Sequence, residues 1–115
     1  MAHPKGYPLL LAALVGLRSC NECHRFLSDL LSPQELRQIS KRFAAAIELQ
    51  RGSTHRKVAR RLSISSTTVS RVNRFLDAGS GGYALAMSRL SEKGKTQATA
   101  TGPLGPVSKG MSGLG

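Results

Sequence analysis

The chain reads as all-α, with about six helices and a helix-turn-helix among them. Three observations predict this. Apolar residues recur at three- and four-residue spacing from Leu9 to Leu90, residues able to cap a helix precede most of these runs, and the period-two alternation of a half-buried strand appears nowhere. At 115 residues, 40% hydrophobic and 20% charged, the composition is that of one globular domain. Aromatic content is only 4% with no tryptophan, so large apolar anchors are few, and a second copy of the chain is expected to supply buried area that one copy lacks.

Each element has its own signals. Pro8 suits a first turn, and the run Leu9 to Leu17 is apolar on every side, so the first helix must be covered all round. Ser19 with Glu22 forms a capping box for a second helix of about Cys20 to Leu31, whose inner stripe is Cys20, Cys23, Leu27 and Leu30. Ser32, Pro33 and Glu35 start a long third helix with the stripe Leu36, Ile39, Phe43 and Ile47; Ala44, Ala45 and Ala46 admit a close neighbour, and Gly52 closes it. Thr54 caps a short fourth helix, His55 to Leu62. After the three-residue break Ser63 to Ser65, a fifth runs to Ala78, capped by Ser65 and stopped by Gly79. Tyr83 to Leu90 makes a short sixth. From Ser91 to Gly115 the chain turns rich in Gly, Ser, Thr, Pro and Lys without periodicity, which predicts a helical domain over 1–90 and a disordered tail over 91–115.

The formal charge of +11 calls for an acidic partner. Its distribution narrows the choice: between Arg37 and Arg74 ten basic residues face one acid, Glu48, whereas an idle solvated face mixes signs. Nucleic acid is therefore favoured over an anionic membrane surface. No run reaches the eighteen or so apolar residues of a spanning helix. The N-terminus resembles a short signal peptide, with Lys5 before the apolar run, but Arg18 stands where a cleavage site needs a small residue; a buried helix and a cytoplasmic protein are expected.

The stretch from His55 to Ala78 carries the function. Two short helices joined by a three-residue turn, the second rich in hydroxyl and basic side chains, have the arrangement of a helix-turn-helix. The positions that must pack are all apolar: Val58, Leu62, Ile64, Val69 and Val72, with the small Ala59 where the two helices come closest. Ser63 occupies the turn position where glycine is usual, because positive φ is required there. With Val69, Val72 and Leu76 inward, Ser66, Thr67, Ser70, Arg71 and Arg74 project outward. Short hydroxyls let a helix lie deep in the major groove of double-stranded DNA, and arginines reach phosphates or guanine edges. From charge and helical phase, Lys57, Arg60, Arg61 and Arg74 are expected phosphate contacts.

The segment LSPQELRQISKRFAAAIELQRGSTHRKVARRLSISSTTVSRVNRFL, with ECHRFLSDLL before it and GSGGYALAMSRL after it, resembles the Trp repressor family, in particular its YerC/YecD-type branch. The resemblance covers about Leu9 to Leu90. It implies an intertwined homodimer that presents two recognition helices about 34 Å apart to a palindromic site. It implies a bacterial transcription regulator, expected to act as a repressor at the nucleoid. It assigns base contact to Arg56, Ser66, Thr67 and Ser70, and an effector pocket to Ser32, Arg42 and Arg71. Val72 stands where the Trp repressor has Gly and Phe75 where it has Ser. Their bulk fills space an indole needs, which argues against tryptophan as corepressor and leaves Arg42 and Arg71 to an unknown anionic or aromatic effector, or simply to DNA phosphates and helix ends. No cofactor is expected.

A reading from another class rests on Cys20-Asn21-Glu22-Cys23-His24, which satisfies the C-x-x-C-H attachment pattern of c-type haem and would make the chain an exported electron carrier. The cysteines fit as well as small residues on the second helix's stripe. Two thiols and His24 are too few for a closed zinc site, so no metal is expected, although a disulfide or redox role stays open. No catalytic constellation appears: the six acids are scattered, and the three histidines have no nucleophile partner. An enzyme is not expected.

Overall fold

A computed structural model describes residues 3–96. They form six α-helices, α1 (Tyr7–Gly16), α2 (Cys20–Leu30), α3 (Pro33–Gln50), α4 (His55–Leu62), α5 (Ser66–Ala78) and α6 (Gly82–Thr96), and no strand occurs among them. None of these helices is long and apolar enough to cross a membrane. Two compact units divide the chain between Leu36 and Arg37.

The first unit holds α1 and α2. The Ser19 hydroxyl accepts from the Glu22 amide at 3.1 Å, and the Glu22 carboxylate accepts from the Arg18 amide at 2.8 Å, so the capping signal is realised. Neither helix buries a residue. Leu9 is 77% exposed and Val15 85%, and the α2 stripe expected to face inward leaves Cys20 exposed and Leu30 half-exposed. That stripe is therefore not interior within one chain. Two short helices without a third layer cannot enclose an apolar face.

At the start of α3 the capping box is complete: the Glu35 amide donates to Ser32 Oγ at 3.1 Å and the Ser32 amide to the Glu35 carboxylate at 2.9 Å. The far end of α3 closes with a Schellman motif. The Ser53 amide donates to the Glu48 carbonyl and the Gly52 amide to the Leu49 carbonyl, both at 3.0 Å, with Gly52 at φ 97°. Here the observed core departs from the expected stripe. Ala45 and Ala46 are the buried α3 residues, with Leu49 packed beside them, while Ile39 stays 38% exposed. The buried face of α3 is thus the one that joins Val58 of α4 and Val69 and Val72 of α5, not the one carrying the largest side chains.

Ala45 and Ala46 join Val58, Val69 and Val72 in the core of the second unit, flanked by Ala59, Leu62, Ile64, Leu76, Tyr83 and Met87. Every packing position of the helix-turn-helix is thus in or against this core. Thr54 and Ser65 cap α4 and α5 as their sequence positions predict. The turn between them repeats the Schellman pattern with serine in place of glycine: Ile64 donates to the Ala59 carbonyl at 3.1 Å, Ser63 to the Arg60 carbonyl at 3.4 Å, and Ser63 sits at φ 55°. It is the one non-glycine residue at positive φ among those described. An L-residue there costs about 1–2 kcal/mol. Ser63→Gly is accordingly expected to raise the unfolding free energy by about 1 kcal/mol, less than the strain because glycine is freer when unfolded. Urea denaturation reads this, and a fall in midpoint would refute the strain.

Gly79 ends α5 at φ −83°, not in the left-handed region; its need is steric, since a Cβ would lie 2.5 Å from the Phe75 carbonyl oxygen. Beyond it, α6 begins at Gly82 and continues to Thr96 rather than stopping at Leu90, with Tyr83 stacked on Phe43 at 6.4 Å between ring centroids. The tail expected from Ser91 is therefore helical as far as Thr96. Ser91, Glu92 and Lys93 contain no breaker, and extending an existing helix costs little. The rest of that expected tail, 97–115, lies outside the described residues.

Candidate nucleic-acid interface

The hydroxyl-rich start of α5 divides into two groups. Ser65 accepts from the Thr68 amide at 3.0 Å, and the two hydroxyls bond to each other at 2.9 Å, so this pair closes the helix N-terminus. Ser66, Thr67 and Ser70 are exposed and make no hydrogen bond to another side chain among the described residues. The sequence marks Ser65 as the cap, while the partnership of Thr68 is visible only in the fold.

Thr67 is three and four residues before Ser70 and Arg71, and these are four and three before Arg74, which places all of them on one side of α5. They line an open groove of about 300 Å³. Two guanidinium groups and two hydroxyls give this groove donors and hydroxyl acceptors that suit an anion or base edges. The Arg74 guanidinium also lies 5.7 Å from the centre of the half-exposed Phe75 ring, within cation–π range.

On α4, Arg56, Lys57, Arg60 and Arg61 are all exposed. The single ion pair among the described residues joins Arg61 Nε to Glu48 Oε2 at 3.4 Å. Arg56, Lys57, Arg60, Arg71 and Arg74 have no carboxylate partner there, leaving a surface of concentrated positive charge. The pair with Glu48 went unread in the sequence, although one acid among ten bases was a signal for it.

The residues assigned to an effector pocket have separate local roles or places. Ser32 Oγ is occupied as the cap of α3, Arg42 is exposed on α3, and Val72 lies in the core at 2% exposure. Only Arg71 of the five lines the groove, and Phe75, next to Arg74 in sequence, is half-exposed. Cys20 and Cys23 are free thiols in the first turn of α2, and His24 Nδ1 lies 3.5 Å from Ser28 Oγ.

Comparison with known proteins bears on the whole arrangement. The family model for the Trp repressor protein matches residues 5–91. The protein YerC of Bacillus subtilis (strain 168) is 32% identical over 83 residues, covering 72% of this chain and 80% of YerC. A TrpR-like protein from Eubacterium eligens ATCC 27750 superimposes with a TM-score of 0.72 at 31% identity, covering 76% of this chain and 91% of that structure. A candidate Trp repressor from Staphylococcus aureus gives the same TM-score at 27% identity, with 77% and 89% covered.

Proposed function

The chain belongs to the Trp repressor family, and we propose that it is a sequence-specific transcriptional regulator that binds double-stranded DNA as a homodimer and represses by occluding a promoter. The family is one of DNA-binding regulators, which sets the partner class. The observation that carries the finer reading is the group Thr67, Ser70, Arg71, Arg74, with hydroxyls and unpaired guanidiniums on the exposed side of a helix whose other side is core.

In this reading α5 enters the major groove. Ser66, Thr67 and Ser70 meet base edges with hydroxyls and methyl groups, and Arg56 reaches a base edge from the first helix of the motif. Lys57, Arg60 and Arg74 contact phosphates, supplying sequence-independent affinity and orientation. The second copy is supported by α1, whose apolar side chains lie open in one chain. The protein acts without catalysis, at the bacterial nucleoid in the cytoplasm. An exported haem carrier has no observation in its favour beyond the CNECH spacing itself.

Tryptophan does not serve as corepressor here, since Val72 and Phe75 occupy the positions an indole would need. Calorimetric titration with tryptophan is expected to give no binding heat in the micromolar range. Saturable binding there would overturn this point.

In vitro selection of the purified protein on random duplex DNA, at near-physiological salt and without ligand, tests the main reading. Enrichment of a palindrome with half-sites about one helical turn apart is the expected result. Binding without any enriched sequence would refute operator specificity.

A further inference from the structure

Glu48 is the one acid between Arg37 and Arg74, and its placement is costly on two counts. Its side chain is only 17% exposed, with Oε1 buried and accepting no hydrogen bond from the protein. It also stands in the last turn of α3 (Pro33–Gln50), where the helix already presents partial negative charge from its carbonyl groups. The Arg61 guanidinium answers both: Nε lies 3.4 Å from Oε2 while the side chain remains 67% exposed.

For an exposed pair such proximity counts for little, but a mostly buried carboxylate that loses its sole partner is left as an uncompensated charge. Moving Arg61 to a DNA phosphate would exchange one anion for another and strand Glu48. Arg56, Lys57 and Arg60 face no such exchange. An arginine that already holds a protein carboxylate also releases no condensed counterion from DNA, so it adds nothing to the salt dependence of binding.

We infer that Glu48 is a positioning residue that holds Arg61 out of the DNA contact set and thereby limits sequence-independent affinity. The inference rests on the DNA-binding reading of α4 and α5 given above. Non-specific binding is almost wholly electrostatic, so one withheld phosphate contact weakens every sequence alike and leaves base discrimination untouched.

The test measures binding of the full-length protein to one fluorescent duplex across a salt series. Arg60→Ala is expected to lower the slope of log K against log salt by about 0.9, the value for one phosphate, whereas Arg61→Ala leaves it unchanged. Glu48→Gln is expected to raise the slope by about 0.9 and tighten binding at least threefold, and the gain disappears in the double variant Glu48→Gln/Arg61→Ala. If Arg61→Ala loses as much slope as Arg60→Ala, or if the Glu48→Gln gain survives in the double variant, the inference is overturned. If Arg61→Ala, which strands Glu48, fails to fold, the double variant Glu48→Gln/Arg61→Ala, which leaves no unpaired charge, decides: its slope is expected to equal that of wild type, and a loss of about 0.9 overturns the inference. Wild-type protein that does not bind duplex DNA at any salt concentration would instead remove the DNA-binding reading, and this inference with it.

Discussion

Aspartate at both Leu9 and Val15 is expected to convert the proposed dimer into a folded monomer. These side chains are 77% and 85% exposed in one chain, so the isolated fold gains nothing from their apolar character. A partner helix that covers them gains about 1.5–3 kcal/mol for each side chain fully buried, and the symmetry of a dimer counts each twice. A carboxylate in the same place must be desolvated without a partner, which adds to the loss. The dissociation constant of the dimer is expected to rise more than a thousandfold. Analytical ultracentrifugation at micromolar concentration reads this directly, with circular dichroism to verify that helical content persists. A variant that still sediments as a dimer would place the interface elsewhere. Loss of the dimer also breaks the link between two reading heads, whose joint binding exceeds that of one head by a factor of about 10²–10⁴.

Arg56→Ala and Thr67→Ala redistribute sequence preference rather than weakening all sites. Each removes a group proposed to meet a base edge, and a good base contact discriminates by about 1–3 kcal/mol, or roughly tenfold to more than a hundredfold. Both side chains are exposed and neither belongs to the core, so the fold does not depend on them. Repeating the selection with each variant is expected to flatten preference at one position in each half-site and preserve it elsewhere. An unchanged profile for both would move the reading surface off this face of α4 and α5.

Much of this architecture was legible in the chain because its signals are local. A capping residue and an apolar position every third or fourth residue are written within one turn of where they act, so Ser32, Thr54 and Ser65 could be named as helix starts and Val58, Val69 and Val72 as interior. Non-local features were not legible. Which face of α3 is buried depends on the residues of α4 and α5 that it joins in the core, and that face carries Ala45 and Ala46 rather than the larger stripe. The Glu48–Arg61 pair joins helices thirteen positions apart, and no spacing rule within a helix reaches that far. The end of α6 was misplaced because a shift in composition after Leu90 carried more weight than the low cost of extending a helix already formed, here through Gly94 to Thr96.

The core of the reading head contains no fully buried side chain larger than valine. Alanine has no side-chain rotamer to choose, and valine in a helix holds nearly one. Such an interior has almost a single arrangement, unlike one built from leucine or methionine, which can repack around a displaced backbone. The recognition helix is therefore mounted as a stiff part. Under the proposed function, a head whose innermost layer is this stiff has little internal slack with which to adapt to an imperfect operator, and much of the accommodation comes from bending and twisting of the DNA. Tolerance for variant sites should follow the deformability of the duplex, with flexible pyrimidine–purine steps accepted more readily than rigid tracts.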